Sequence, residues 1–439
     1  MEFSAVYKGY ESGNEYPLDE IIYRDTDDNL LEVAHNVEAL RQKTAQEWKN
    51  LFEKRASILT SPFNSGIWGK KEWVLPHIPD SDIISLSEGW TSLLKPEKFN
   101  KALGLKNAWV KLCGNSHTGS FKDLGMTVLV SHVNHLIKKG VPIKAVACAS
   151  TGDTSAALAA YCAYADIPSI VFLPEGKIST AQLIQPISNG SLVLMLATDF
   201  DGCMKIVQEV TKDKSIYLAN SMNPMRIEGQ KTISIEICQQ FGWDVPDVIV
   251  IPGGNLGNVS ALGSGFDLLL QTGVITKKPR IVVAQAAAAN PLYLSFKDDY
   301  KTFKPVTASD TQASAIQIGN PVSYQRAVRA LKNYNGKVIQ VSEEELANAA
   351  HLADHSGLYC CPHTGVALGA LIQMVETKEV DPDERIVVIS TAHGLKFSEF
   401  KVNYHENKIP DFEAKYANPI TRLPADVDKV KEALAKRFT

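Results

Sequence analysis

Apolar residues in this chain come in short runs, at 145–149, 169–173, 192–197, 216–219, 247–252, 280–286, 337–341 and 385–391, separated by segments of helix length. Continuous runs of strand length predict strands buried on both faces, and their alternation with helices predicts parallel sheets covered by helices on each side. Leu124 to Leu136 predicts an apolar helix, the alanine-rich stretch to Ala165 another, and Ser342 with Glu345 makes a capping box opening a third. Residues 1–80 follow a different pattern. They are charged and aromatic, helix-like from Leu30 to Phe52, and broken by Pro, Asn and Gly between Pro62 and Gly69. This predicts an N-terminal arm packed on the core or on a second subunit. Residues 421–439 predict a C-terminal helix.

Composition adds limits. With 439 residues, 45% hydrophobic and 21% charged, the chain has ample material for a core and the balance of an ordinary globular protein. A net charge of −4 with no basic block argues against nucleic acid as a partner. The apolar runs are too short to span a membrane. Residues 1–30, rich in Glu, Asp and Tyr, are unlike a targeting peptide, which predicts a cytoplasmic protein. Seven cysteines scattered through apolar runs predict buried thiols in a reducing compartment. Cys360-Cys361-Pro362-His363 lacks the spacing of zinc ligands, and no metal site is expected.

Three turns carry candidate chemistry. Gly119-Ser120-Phe121-Lys122-Asp123 puts a lysine in a small-residue turn opening the helix to Leu136. Most lysines are simply solvated, but one held between hydroxyls and a ring can lose its proton and act as a nucleophile. Ser150-Thr151-Gly152-Asp153-Thr154-Ser155 follows a strand and precedes a helix. Such a turn is either an ordinary N-cap or a pocket for an anion such as a carboxylate. Gly253-Gly254-Asn255-Leu256-Gly257-Asn258 also joins a strand to a helix, with the backbone freedom and helix dipole that suit a phosphate. It is neither a dinucleotide fingerprint nor a Walker loop.

These three motifs, in this order and spacing, resemble the threonine synthases, pyridoxal-phosphate enzymes of the tryptophan-synthase-β-like fold (fold type II). Further segments agree: Leu173-Pro174 with Lys177, Asn220 to Pro224 with Arg226 to Thr232, Ala313 to Gly319, and Thr391-Ala392-His393-Gly394. The likeness runs from about Tyr16 to near Asn418 and is strongest to the plant-type branch. It implies an α/β fold of two parallel-sheet units with flanking helices plus the arm. The smaller unit would span 111–210, and the larger 81–110 with 211–420.

The resemblance also implies roles. Lys122 matches the lysine that bonds the cofactor and shuttles protons. Gly254, Asn255, Leu256, Gly257 and Asn258 match the loop holding the cofactor phosphate, and Thr391 the hydroxyl facing its pyridine nitrogen. Asp153 matches a cofactor-site position where many fold relatives carry Asn. An ionised carboxylate there would repel the cofactor's phenolic oxygen, so it is either protonated, turned elsewhere or accepting from a backbone group. Ser150, Thr151 and Thr154 are expected on the substrate carboxylate, and Lys177, Asn220, Ser221 and Arg226 on the substrate phosphate. The implied reaction is O-phospho-L-homoserine plus water giving L-threonine and phosphate, in a homodimer. A phospho-lyase releasing 2-oxobutyrate, a serine/threonine dehydratase and a non-catalytic nucleotide-binding module are the alternatives. Plant-type members are activated by S-adenosylmethionine near the N-terminal region. Segment Ser61 to Trp68 matches that region, but with Asn64 where the plant pattern has glycine, and the expectation is activity without an effector.

Overall fold

The computed structural model describes residues 2–150, 152–175, 180–198 and 200–438. Three sheets organise it. The arm forms one from β1 (Ala5–Gly9), β2 (Glu15–Tyr16) and β3 (Leu31–His35), antiparallel in the order β2-β1-β3. A six-stranded sheet is built from β4 (Leu93–Leu94), β5 (Ala108–Leu112), β10 (Val248–Pro252), β11 (Arg280–Ala286), β12 (Lys337–Val341) and β13 (Ile386–Ser390). Its order is β12-β11-β10-β13-β5-β4, parallel except for the short edge strand β4. A four-stranded parallel sheet, β8-β7-β6-β9, takes β6 (Ala145–Ala149), β7 (Ser169–Pro174), β8 (Leu192–Leu196) and β9 (Ile216–Leu218).

All eight apolar runs are strands, for the expected reason. β6, β10 and β13 are buried at every position, as a parallel strand covered by helices on both faces must be. β8, at the edge of its sheet, exposes Leu192 and Met195. The smaller sheet includes β9, which lies beyond residue 210.

Two regions depart from the sequence pattern. β5 lacks an apolar signature because Lys111 interrupts it. Its ammonium is fully buried and is satisfied by the Glu236 carboxylate, Gln240 Oε1 at 2.8 Å and the Thr91 carbonyl at 2.7 Å. The helix-like stretch Leu30 to Phe52 divides in three. Leu31–His35 is a strand because it pairs residue for residue with Ala5–Gly9. Asn36 then caps a short helix, and Thr44 with Glu47 forms a capping box opening Ala45–Ala56. Two local caps, each stopping the backbone from continuing, override the apparent periodicity. The arm joins the main core: Tyr7, Leu31, Trp48, Phe52 and Trp73 share one buried cluster with Leu124, Ile233 and Ile251. The C-terminal helix Val427–Phe438 buries no residue.

Candidate active site

Six helices position the site: α1 (Lys122–Lys138), α2 (Asp153–Tyr164), α3 (Met225–Gln230), α4 (Gly257–Gln271), α5 (Tyr324–Asn333) and α6 (Pro362–Glu376). Lys122 is the first residue of α1. The turn before it is stitched to the end of β13: the Phe121 amide donates to the Thr391 carbonyl at 2.9 Å, and Ser120 bridges Ala392. The Asp123 carboxylate, fully buried, accepts from Ser116 Oγ at 2.6 Å, Thr118 N at 2.8 Å and Thr118 Oγ1 at 2.5 Å. It braces the loop that presents its neighbour. Lys122 Nζ lies 4.2 Å from the centroid of the Phe121 ring and makes no ion pair among the described residues. Burial drives its amine down to about 7, the Arg226 guanidinium pushes the same way, and Asp153 opposes. That value leaves a neutral, nucleophilic amine near neutral pH.

Arg226 reaches Lys122 because α1 and α3 pack backbone to backbone. A Cβ on Gly125 would fall 2.8 Å from the Arg226 carbonyl, and one on Gly229 would collide with the Leu124 carbonyl. Only glycine permits this approach. The guanidinium is 4% exposed and donates to the Ala219 carbonyl and to Thr154 Oγ1, each at 3.1 Å, while Nε has no partner. No carboxylate pairs with it among the described residues. The contact with Thr154 brings together a residue expected on the substrate carboxylate and one expected on its phosphate.

At the head of α2, Ser150 Oγ accepts from the amides of Gly152 and Ser155, both at 3.3 Å. The Asp153 carboxylate, also buried, meets Lys396 Nζ at 3.1 Å. This pairing answers the charge problem that Asp153 posed: a cation compensates it. Lys396 donates as well to the Thr118 carbonyl at 3.0 Å and Gln185 Oε1 at 2.8 Å, tying the Lys122 loop to the smaller sheet's helices. Thr151 and Lys177 lie outside the described residues.

Asn220 engages both ends of its amide with the Ala149 backbone, accepting at 3.0 Å and donating at 2.8 Å. It clamps β6 to the chain leaving β9, a structural role beside the one expected of it on the substrate phosphate. Ser221 Oγ accepts from Asn255 Nδ2 at 2.9 Å. In the glycine loop, Leu256 adopts φ +64°, and the chain turns there into α4. The opening amides of a helix have no intrahelical partners and carry the positive end of its dipole. Asn258 Nδ2 donates to the Pro252 carbonyl at 2.7 Å, and Asn255 Oδ1 accepts from Val322 N at 2.9 Å, which fixes the loop's shape. Thr391 is buried at the end of β13, its amide on Thr364 Oγ1 at 3.3 Å and its hydroxyl 3.7 Å from Cys361 Sγ. Cys361 caps α6; burial raises its thiol, but the His363 ring, with hydrogen bonds from His363 and Thr364, outweighs that and holds it at about 7.

A low-affinity amine, a glycine loop on a helix N-terminus and a buried neutral hydroxyl therefore meet at the carboxyl ends of the strands, where open α/β sheets bind ligands. These residues fit pyridoxal phosphate. A model of pyridoxal-phosphate dependent enzymes matches residues 84–392. Threonine synthase 2, chloroplastic, of Arabidopsis thaliana is 53% identical over 99% of this chain and 84% of that protein. The chain belongs to the threonine synthase family. The threonine synthase of Methanocaldococcus jannaschii is 40% identical over 90% of this chain and 94% of its own. The crystal structure of the Escherichia coli threonine synthase shares the fold at TM-score 0.67 and 16% identity, covering 99% of this chain and 100% of that one. The pyridoxal-phosphate-bound threonine synthase of Brucella melitensis gives 0.66 and 18%, covering 96% and 93%.

The sequence motifs assign no role to Lys396 or Thr364, quote Asp123 only as the neighbour of Lys122, and bring in Cys361 only as a rejected metal ligand. Lys396 had a signal, standing three residues beyond His393 in the Thr391–Gly394 motif. Asp123 braces Ser116 and Thr118 within its own loop, whereas Cys361 and Thr364 reach Ser390 and Thr391 from a distant segment that only the fold brings close. No helix among the described residues is long and apolar enough to cross a membrane.

Proposed function

We propose that this pyridoxal-phosphate lyase converts O-phospho-L-homoserine and water to L-threonine and phosphate. The observation that carries the reading is Arg226: a buried guanidinium without a carboxylate partner, one donor idle, beside the lysine expected to react. A dehydratase acting on serine or threonine brings one anionic group and has no use for this cation. A phosphorylated substrate brings two.

Lys122 holds the cofactor, the amides of Gly254 to Asn258 receive its phosphate, and Thr391 sets a neutral hydroxyl at its ring nitrogen. Bound pyridoxal phosphate supplies an electron sink for carbanions, which a hydroxyl partner moderates relative to a carboxylate one. Asp153 and Lys396 form a compensated pair at the same site. Ser150, Thr151 and Thr154 orient the substrate carboxylate, and Arg226, Asn220, Ser221 and Lys177 its phosphate. Lys122, substantially deprotonated near pH 7, takes protons from the α- and β-carbons and returns them. Phosphate arriving at Arg226 offsets the positive charge that depresses the Lys122 amine, so the base strengthens as substrate binds. The smaller unit on this reading runs through β9, and the six-stranded sheet forms the larger.

The reading also takes the enzyme as a homodimer working in the cytoplasm, where seven buried, unbridged thiols stay reduced. The plant relative is named as chloroplastic, and imaging of a tagged chain in its own cells decides the compartment. The reaction itself is tested by the visible spectrum of the purified protein and by product analysis with O-phospho-L-homoserine. Threonine and phosphate in equal amounts are expected. Release of 2-oxobutyrate in place of threonine would assign the phospho-lyase reaction.

A further inference from the structure

The arm's β3 lies over α3, α4 and α5, and together they line a half-open cavity of about 400 Å³. That size suits a small organic ligand. Part of its wall is apolar, from Val33, Val37, Ile227 and Leu268. The rest is charged, and the charges do not all match. Glu228 is paired with Lys231 and with His35 Nε2, the latter at 2.7 Å. Glu32 meets Arg329 at 2.6 Å. Two groups are left over.

One is Arg326, 2% exposed, which donates through one nitrogen to the Leu31 carbonyl while Nε and the other terminal nitrogen have no partner. Lys8 of β1 lines the same cavity and makes no ion pair among the described residues. The other is Asp267 of α4, whose side chain accepts only from the Tyr334 hydroxyl, at 2.7 Å, and whose carboxyl burial holds above the usual range. A buried donor left idle costs free energy, and a guanidinium with two idle donors is a site awaiting an oxyanion. A half-buried carboxylate with one neutral donor has room for a cation.

We propose that this cavity binds an aliphatic α-amino acid. Its carboxylate sits on Arg326 and Lys8, its ammonium on Asp267, and its side chain against Val33, Val37, Ile227 and Leu268. The site is separate from the catalytic one but joined to it by structure. α3 carries Arg226 at its second position, and α4 grows out of the glycine loop. α5 follows Ser323, whose amide donates to the Asn255 carbonyl at 3.1 Å. Each helix lining the cavity thus begins among the active-site residues.

The test is calorimetric titration of the cofactor-loaded protein with L-isoleucine and L-leucine. Saturable binding is expected, weakened about tenfold or more in both Arg326→Met and Asp267→Asn, because each removes a charged partner. Lys8→Ser, on the partly exposed face of the arm, is expected to weaken binding without disturbing the fold. 4-Methylpentanoate, which lacks the ammonium, should bind more weakly than leucine to the wild type and equally to Asp267→Asn. Retention of the visible cofactor band in all three variants separates this site from the catalytic one. Absence of binding at millimolar ligand, or equal binding by wild type and the Arg326 and Lys8 variants, would overturn the proposal. So would dissociation of a dimer on Arg326→Met, which would assign the idle donors to a subunit contact.

Discussion

Arg226 and Arg326 are buried alike, at 4% and 2% exposure, and burial pulls both guanidinium groups down to about 10. Each donates to one main-chain carbonyl, Ala219 for the first and Leu31 for the second, and each keeps donor capacity idle. Their neighbours differ. Arg226 stands beside a lysine amine it helps to deprotonate, at the head of a helix packed through glycine contacts. Arg326 faces the arm, near Glu32, Arg329 and a half-satisfied Asp267. The same expensive group therefore serves two sites, and what surrounds it decides whether the site does chemistry or only holds a ligand.

The comparison breaks most readily at Lys122. Lys122→Ala is expected to lose the visible band of the lysine-bound cofactor and to cut turnover roughly ten-thousandfold or more, while Arg326→Met keeps both. Turnover preserved in the alanine variant would remove the chemical distinction between the two regions. Next in size is Lys396→Met, which leaves the Asp153 carboxylate buried without its cation. Breaking such a pair costs about 3–5 kcal/mol. The thermal midpoint should fall and should recover in the double variant with Asp153→Asn; no recovery would mean that Lys396 acts mainly through Thr118 and Gln185.

A smaller effect sharpens the role of charge. Protein stripped of cofactor should recapture it at a rate that rises with pH and levels off above about 7, where the Lys122 amine has lost its proton. Arg226→Gln removes a cation that lowers this amine, so the midpoint should move to higher pH; Arg326→Gln should leave it in place. A rate still climbing at pH 10 in the wild type would mean an ordinary lysine. The smallest expected effect concerns S-adenosylmethionine. Asn64 Nδ2 donates to Ser87 Oγ at 2.7 Å, holding the Ser61–Trp68 segment without a ligand. Initial rates with and without the effector should agree, and stimulation on the order of tenfold would show a coupled switch instead.

The two arginines also mark the reach of sequence reasoning. The sheets were legible because strands buried on both faces must be continuously apolar, as β10 and β13 are. β5 escaped because Lys111 lies inside it, neutralised by Glu236 from a distant helix. Lys122, the glycine loop and Thr391 were legible because each sits in a local motif at a strand end. Arg226 was legible through its place in such a motif. Arg326 was not, since Tyr324–Asn333 looks like any amphipathic helix until the arm is folded over it. Asp153 was half legible: its position was clear, but its partner Lys396 lies far along the chain. Local chemistry is written in neighbours, whereas charge compensation is settled by the fold.

The central claim is that Arg226 selects a phosphorylated substrate, and steady-state kinetics of Arg226→Ala with O-phospho-L-homoserine tests it most directly. Losing a charge-assisted contact of about 1.5–3 kcal/mol should raise KM about tenfold or more while the cofactor absorbance stays intact. An unchanged KM together with loss of the cofactor band would contradict the account, because it would place Arg226 on the cofactor's phosphate and leave the substrate's without its cation.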